Sequence, residues 1–150
     1  MALDQSFVGR SYPPSEPYEV GREKIREFAR AVGDDNPAYL DPGAARALGH
    51  PDVIAPPTFV FAITYEAANK VVEDPKLGLD YSRMVHGDQR FAYRRPVHAG
   101  DRLTVTSTIE GIKSIAGNEM LDIRGEVHDE AGELVVTAWT KLVVRGGEEA

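Results

Sequence analysis

The chain has 150 residues, of which 42% are hydrophobic and 27% charged, and it contains no cysteine. This composition is typical of one soluble globular domain, and the lack of cysteine excludes disulfides and thiolate metal sites. The formal net charge of −7 argues against general nucleic-acid binding, which needs a basic surface. The first residues lack the pattern of a signal peptide, and no apolar run is long enough to span a membrane. We therefore expect one cytoplasmic domain over residues 1–150.

Three helices are predicted in the first half of the chain. The first, residues 21–33, has its apolar residues at helical spacing and ends in a glycine. The second, residues 42–48, follows an Asp–Pro pair that favours a helix start, and a glycine comes directly after it. The third, residues 58–74, is apolar on nearly every side as far as Ala68. Such a helix is expected to be buried all round.

The second half of the chain predicts strands. Four segments alternate between inward and outward residues, as in Leu103, Val105, Ser107 and Ile109, which share one face. Three turn sequences of hairpin type, HAGD, IAGN and DEAGE, join them. The segments cover residues 84–95, 102–112, 118–129 and 133–145.

The order of these elements indicates the fold class. Helices followed by adjacent, hairpin-linked strands predict an α+β fold, with an antiparallel sheet and its helices on one face. A curved antiparallel sheet wrapped around one long buried helix is a hot-dog fold. We expect this architecture for the single domain.

The stretch GDDNPAYLDPGAARALG, residues 33–49, carries a motif. It resembles the loop and helix of MaoC-like, R-specific enoyl-thioester hydratases and dehydratases, which run Gly-Asp-x-Asn-Pro, an aliphatic residue, His and Asp-Pro. Two later stretches, HGDQRFAYRRPVHAGDRL and IAPPTF, are similar to segments of the same superfamily, the first to its N-terminal dehydratase domains. The resemblance covers roughly residues 5–145, within a boundary error of a few residues.

The resemblance implies roles for three residues in this motif. The family's catalytic aspartate falls on Asp34, its asparagine on Asn36 and its catalytic histidine on Tyr39. The sequence is most similar to the subunits of actinobacterial (3R)-hydroxyacyl-ACP dehydratases that lack the active histidine. In those heterodimers one hot-dog chain holds the acyl chain, and its partner supplies both Asp and His.

The residue at position 39 limits the chemistry that this chain can perform. Dehydration of a 3-hydroxyacyl thioester removes a C2 proton and protonates the leaving hydroxyl, so it needs a base near neutral pH. The unperturbed pKa of a histidine is about 6.5, whereas that of a tyrosine is about 10. Tyr39 can therefore donate a hydrogen bond at neutral pH but is a poor base. Backbone amides before Thr58 would stabilise the thioester oxygen, yet Pro56 and Pro57 have no N–H. The chain is therefore expected to lack both the catalytic base and part of the group of amides that would stabilise the thioester oxygen.

Each of these residues also has a plainer interpretation. The segment around Asp34 has the composition of an ordinary turn, and Tyr39 is as consistent with packing on the short helix as with a polar role. His86 is a candidate catalytic partner of Asp34, although a strand histidine is more often structural. No histidine pair has metal-ligand spacing, so neither a metal nor a cofactor is expected.

Four arginines fall around one predicted strand pair. They fit either the phosphates of coenzyme A or the acidic face of an acyl carrier protein. A solubilising sheet edge explains them equally well. The residues are Arg90, Arg94, Arg95 and Arg102.

Together these features predict an acyl-thioester-binding subunit of a (3R)-hydroxyacyl-ACP or -CoA dehydratase in fatty-acid elongation. The expected assembly is a homodimer, or a heterodimer with a catalytic hot-dog chain. One alternative is a self-sufficient homodimeric hydratase that uses Asp34 and His86. Others are a hot-dog thioesterase, with Glu66 as the only candidate on the long helix, and a non-enzymatic acyl-binding module. The predicted substrate-binding residues are Pro57, Thr58, Phe59, Arg90, Arg94 and Arg95.

Overall fold

The computed structural model describes residues 2–146 and contains the predicted helices and strands. The helices α1 to α4 are Arg22–Ala31, Pro37–Leu40, Pro42–Ala47 and Val60–Val72. The strands β1 to β5 are Tyr18–Glu19, Met84–Tyr93, Arg102–Ile115, Asn118–His128 and Leu134–Val144. Among them, α2 and the two-residue β1 were not predicted, because elements this short leave no periodic signal.

The five strands form one antiparallel sheet in the order β1-β3-β4-β5-β2. β3–β4 and β4–β5 are the predicted hairpins. The expectation that HAGD forms a third hairpin is wrong, because β2 pairs with β5 and not with β3. Residues 94–101 cross the end of the sheet instead, and their backbone pairs with the loop before α4. Ala55 N donates to Val97 O at 2.7 Å, and Ala99 N donates to Val53 O at 3.0 Å.

The core lies between the concave face of the sheet and one side of α4. The predicted inward face of β3 is confirmed, since Leu103 and its alternate residues through Ile109 are buried. Thr64 of α4 packs over Gly125 on β4, where a Cβ atom would lie at an ordinary van der Waals distance of 3.7 Å from the threonine side chain. The curled sheet and its central helix form the predicted α+β hot-dog fold.

The other side of α4 remains uncovered by residues 2–146, and the expectation of a helix buried all round is wrong for it. Phe61 and Tyr65 are only half-buried, and the centroids of their rings lie 5.4 Å apart. Phe61 also stacks on His86, with 5.4 Å between the ring centroids, and Tyr65 lies close to the exposed Tyr81. The sheet of one chain covers one side of the helix only, which leaves an aromatic face formed by these four residues.

The two edges of the sheet differ. Along β3, the N-terminal segment donates backbone hydrogen bonds, from Gly9 N to Ile109 O at 2.8 Å and from Tyr12 N to Ser107 O at 2.9 Å. The outer edge of β2 carries no strand among residues 2–146. Within the same range no helix is long and apolar enough to cross a membrane.

Candidate functional site

The motif loop between α1 and α3 is held by helix caps in series. Gly33 ends α1 with a φ of 76°, a left-handed conformation that glycine adopts without strain. The Asn36 side chain accepts a hydrogen bond from Ala38 N at 3.0 Å and caps α2. Asp41 caps α3 in the same way through Gly43 N, at 3.1 Å. Asn36 therefore has a structural role, and the caps fix the direction of the residues between them.

This loop turns Tyr39 inward and leaves Asp34 at the surface. The tyrosine is 8% exposed and belongs to the main core cluster. Burial and, secondarily, the negative charge of Asp34 raise its pKa above the ordinary value of 10.0. The structure thus brings positions 34 and 39 within electrostatic reach of each other, and the phenol is protonated at neutral pH.

Tyr39 lines a pocket of about 390 Å³ beside the end of β2. Small-molecule sites in proteins have volumes of roughly 300–1,000 Å³ and are mostly apolar. Most of the lining here is aliphatic or aromatic. We call this cavity the Tyr39 pocket, and its lining residues are Tyr39, Ile54, Ala55, Pro57, Tyr93, Arg94, Arg95 and Pro96.

One hydrogen bond joins the two sides of the pocket. The hydroxyl of Tyr93, at the end of β2, donates to the carbonyl oxygen of Pro57 in the loop before α4. Burial raises the pKa of Tyr93, so this donor keeps its proton. Sequence analysis did not single out Tyr93. Its only signal was an aromatic residue at a strand end, which does not reveal the carbonyl opposite.

The three residues predicted around the start of α4 have different environments. Pro57 lines the pocket, and Thr58 is exposed. Phe59 is 1% exposed, and its ring packs edge-to-face on Phe28 at 5.5 Å. Its N–H donates to the Pro56 carbonyl at 2.9 Å and is used within the chain. Phe59 is therefore a core residue and does not line the Tyr39 pocket.

The predicted arginine cluster does not form, because β4 and β5 separate β2 from β3 in the sheet. Arg90 lies on the outer face of the sheet, with its guanidinium 4.6 Å from the ring centre of Trp139. Arg102 pairs with Glu19 at 3.4 Å near the other edge of the sheet, where β1 pairs with β3. Arg94 and Arg95 alone reach the Tyr39 pocket.

Arg95 is occupied by contacts within the chain. Its two terminal nitrogens each donate to a carboxylate oxygen of Asp101 at 2.9 Å, and one also donates to Asp129 at 3.3 Å. Asp101 is buried and lies in the same crossover as Arg95, whereas the contact with Asp129 clamps this crossover to the β4–β5 hairpin. Arg94 is exposed and has no ion-pair partner among the described residues. It is the arginine available to a ligand at the mouth of the pocket.

We predict that Arg95→Ala lowers the free energy of unfolding by about 1 to 3 kcal/mol. Removing one partner of a fully buried pair costs about 3 to 5 kcal/mol, and the effect here is smaller because the Arg95 side chain is 34% exposed. Arg94→Ala is the matched control and is expected to change stability by less than about 0.5 kcal/mol. Urea denaturation measures both variants. Equal stability of the two would show that the clamp does not stabilise the fold.

His86 and Glu66 both lie apart from the Tyr39 pocket. His86 is near the start of β2, where its Nε2 is 3.1 Å from the side-chain oxygen of Gln89. The residue that borders the pocket, Tyr93, is at the other end of the strand, roughly 20 Å away at the rise per residue of a β-strand. Within one chain, the structure therefore does not bring His86 to Asp34. Glu66 is exposed on α4 and is not part of the lining.

The hot-dog fold and the motif loop at its apolar pocket define a MaoC-like protein, and comparisons with known proteins agree. A family model described as "FAS1-like, dehydratase domain region" matches residues 6–138. The chain belongs to this dehydratase family. It is 81% identical over 150 residues to a UPF0336 protein of Streptomyces coelicolor, covering 100% of both chains. It is 79% identical over 149 residues to one of Streptomyces avermitilis, covering 99% of both.

Two solved structures at 34% identity support the same class. One is the truncated HadBC (3R)-hydroxyacyl-ACP dehydratase complex of Mycobacterium tuberculosis, with a TM-score of 0.83 over 95% of this chain and 99% of that chain. The other is a MaoC-like dehydratase with a TM-score of 0.88 over 96% of this chain. This chain spans only 44% of that second protein. The resemblance inferred from the motifs is confirmed.

Proposed function

We propose that this chain is the acyl-thioester-binding subunit of a (3R)-hydroxyacyl-ACP or -CoA dehydratase. The observation that carries the proposal is an apolar pocket with a tyrosine at the position of the family's catalytic histidine. Apolar walls suit an acyl chain, whereas a phenol whose pKa is raised above 10.0 cannot accept the C2 proton at neutral pH. The chain is thereby suited to hold substrate while another chain supplies the base.

The partner that we propose is a second hot-dog chain with an intact Asp/His pair. Support comes from the edge of β2 and the adjoining aromatic face, both left uncovered by the part of the chain that the structure describes; this face consists of Phe61, Tyr65, Tyr81 and His86. Aromatic residues are enriched in protein interfaces, and an open strand edge offers unpaired backbone groups. The similar HadBC structure is described as a complex. A second copy of this chain would bring another Tyr39 and no base.

The isolated chain is expected to hydrate crotonyl-CoA no faster than a buffer control. Each well-placed acid–base group contributes about 10² to 10⁴ in rate, and this chain lacks the base. The measurement is the loss of enoyl absorbance with purified wild type and with Asp34→Asn. Turnover by the wild type that Asp34→Asn abolishes would instead support a self-sufficient hydratase.

The same chain is expected to bind a saturated acyl-CoA in the Tyr39 pocket. Ile54→Trp adds an indole to the pocket lining and is expected to weaken this binding at least tenfold, since a filled cavity cannot admit the chain. Leu48→Trp makes the same change at a residue that is 67% exposed and outside the pocket, and serves as the control. Equal affinities of the two variants would place the acyl chain elsewhere.

A further inference from the structure

The hydroxyl group of Tyr39 is the feature that the proposed function leaves unexplained. The side chain is more than nine-tenths buried, yet no described residue donates a hydrogen bond to its hydroxyl or accepts one from it. The Tyr39 oxygen is nevertheless accessible from outside the protein, and the residue lines the pocket. An accessible hydroxyl with no partner in the chain is free to exchange hydrogen bonds with water or with a ligand in the pocket.

Other polar groups around the pocket are already engaged. The Tyr93 hydroxyl donates to the Pro57 carbonyl, and Arg95 is held by Asp101 and Asp129. Arg94 is exposed at the mouth of the pocket. Besides Arg94, the Tyr39 hydroxyl is therefore the side-chain polar group of the described lining that is free to meet a ligand.

The chemistry of the phenol limits what it can recognise. A protonated tyrosine hydroxyl donates one hydrogen bond and accepts others, and it therefore matches an alcohol, which does both. A thioester carbonyl can only accept hydrogen bonds. It is bonded to the carrier sulfur, and the bulky carrier is expected to remain outside the mouth of the pocket. A group that reaches a residue as buried as Tyr39 belongs further along the acyl chain.

We propose that Tyr39 is a specificity-determining residue whose hydroxyl hydrogen-bonds the 3-hydroxyl group of a bound 3-hydroxyacyl thioester. This inference rests on the proposed function of the pocket. It assigns the tyrosine a role in selection: the pocket prefers the hydroxylated acyl chain to a saturated chain of the same length. In the apolar remainder of the pocket, a hydroxyl on the ligand would have no partner.

The test compares two ligands on three proteins. Isothermal titration of the wild-type chain with 3R-hydroxyhexanoyl-CoA and with hexanoyl-CoA is expected to show a preference of about three- to tenfold for the hydroxylated ligand, the contribution of one hydrogen bond. Tyr39→Phe keeps the ring and removes only the hydroxyl, and it is expected to abolish the preference for the hydroxylated ligand. The control is Tyr12→Phe, which removes a hydroxyl that donates to Asp74 at 2.7 Å outside the pocket. It is expected to retain the preference.

The outcomes separate this inference from the proposed function. Binding of both ligands by the wild type with equal affinity would overturn the role of Tyr39 and leave the acyl-binding function standing. A preference that persists in Tyr39→Phe would do the same. Failure of the wild type to bind either ligand would overturn the proposed function and, with it, the inference. The wild-type comparison decides against the inference even if Tyr39→Phe does not fold.

Discussion

Combining this chain with a hot-dog chain that carries an intact Gly-Asp-x-Asn-Pro-x-His motif is expected to raise dehydration of 3R-hydroxyacyl thioesters by about 10² to 10⁴ over this chain alone. The partner supplies a histidine of suitable pKa in place of Tyr39, and this chain supplies the Tyr39 pocket. The measurement is the rate of enoyl formation by the co-expressed, co-purified complex. The partner assayed alone shows how much this chain adds.

The aromatic face offers a way to test the geometry of that complex. Phe61→Glu places a charge in the centre of the face and is expected to weaken the complex without unfolding the chain, because Phe61 is only half-buried. Leu48→Glu introduces the same charge at an exposed apolar residue outside the face and is the matched control. Loss of the complex in both variants, or in neither, would argue against this interface. Failure of the wild type to co-purify with any such partner would argue against the subunit role itself.

Phe59→Ala is expected to lower the free energy of unfolding by about 3 to 5 kcal/mol, the usual cost of removing a fully buried phenylalanine. The residue is 1% exposed, and its ring centroid lies 5.5 Å from that of Phe28 and 6.5 Å from that of Tyr18. Phe61→Ala, two residues further along the chain, is expected to cost less than about 1 kcal/mol in the isolated chain because its ring is half-buried. Guanidinium denaturation of both variants measures the difference.

This pair of variants also decides between two roles for Phe59. The sequence placed Phe59 among the substrate-binding residues, whereas the structure places it in the core. A folded Phe59→Ala of wild-type stability that no longer binds hexanoyl-CoA would return the residue to the substrate site. A large loss of stability supports the core assignment.

Local sequence signals determined the elements that carry the site. Helical spacing of apolar residues predicted α1, and an Asp–Pro start followed by a glycine predicted α3. Alternation along the chain predicted the long strands and the buried face of β3. The motif around Asp34 and Tyr39 indicated the family, and the structure brings these two positions near each other. Such signals can be read from the sequence because they depend only on residues a few positions apart.

Strand order was decided by tertiary structure. Turn chemistry at HAGD is the same whether the strands on either side pair or not, so the sequence could not show that β2 would pair with β5. That one pairing dispersed the predicted arginine cluster and placed His86 far from the pocket. It also brought Tyr93 against Pro57 to close the pocket wall.

Burial of individual side chains also depended on which elements meet. The composition of α4 predicted a helix buried on all sides, because a run of apolar residues carries no information about how wide the covering sheet will be. In the structure, Phe59 points into the core, while Phe61 lies on the uncovered side. Tyr39, which the sequence left between packing and a polar role, is a buried core residue that also lines the pocket. Periodicity and motif thus determined the elements and the family of this protein, whereas long-range strand pairing decided which side chains share its site.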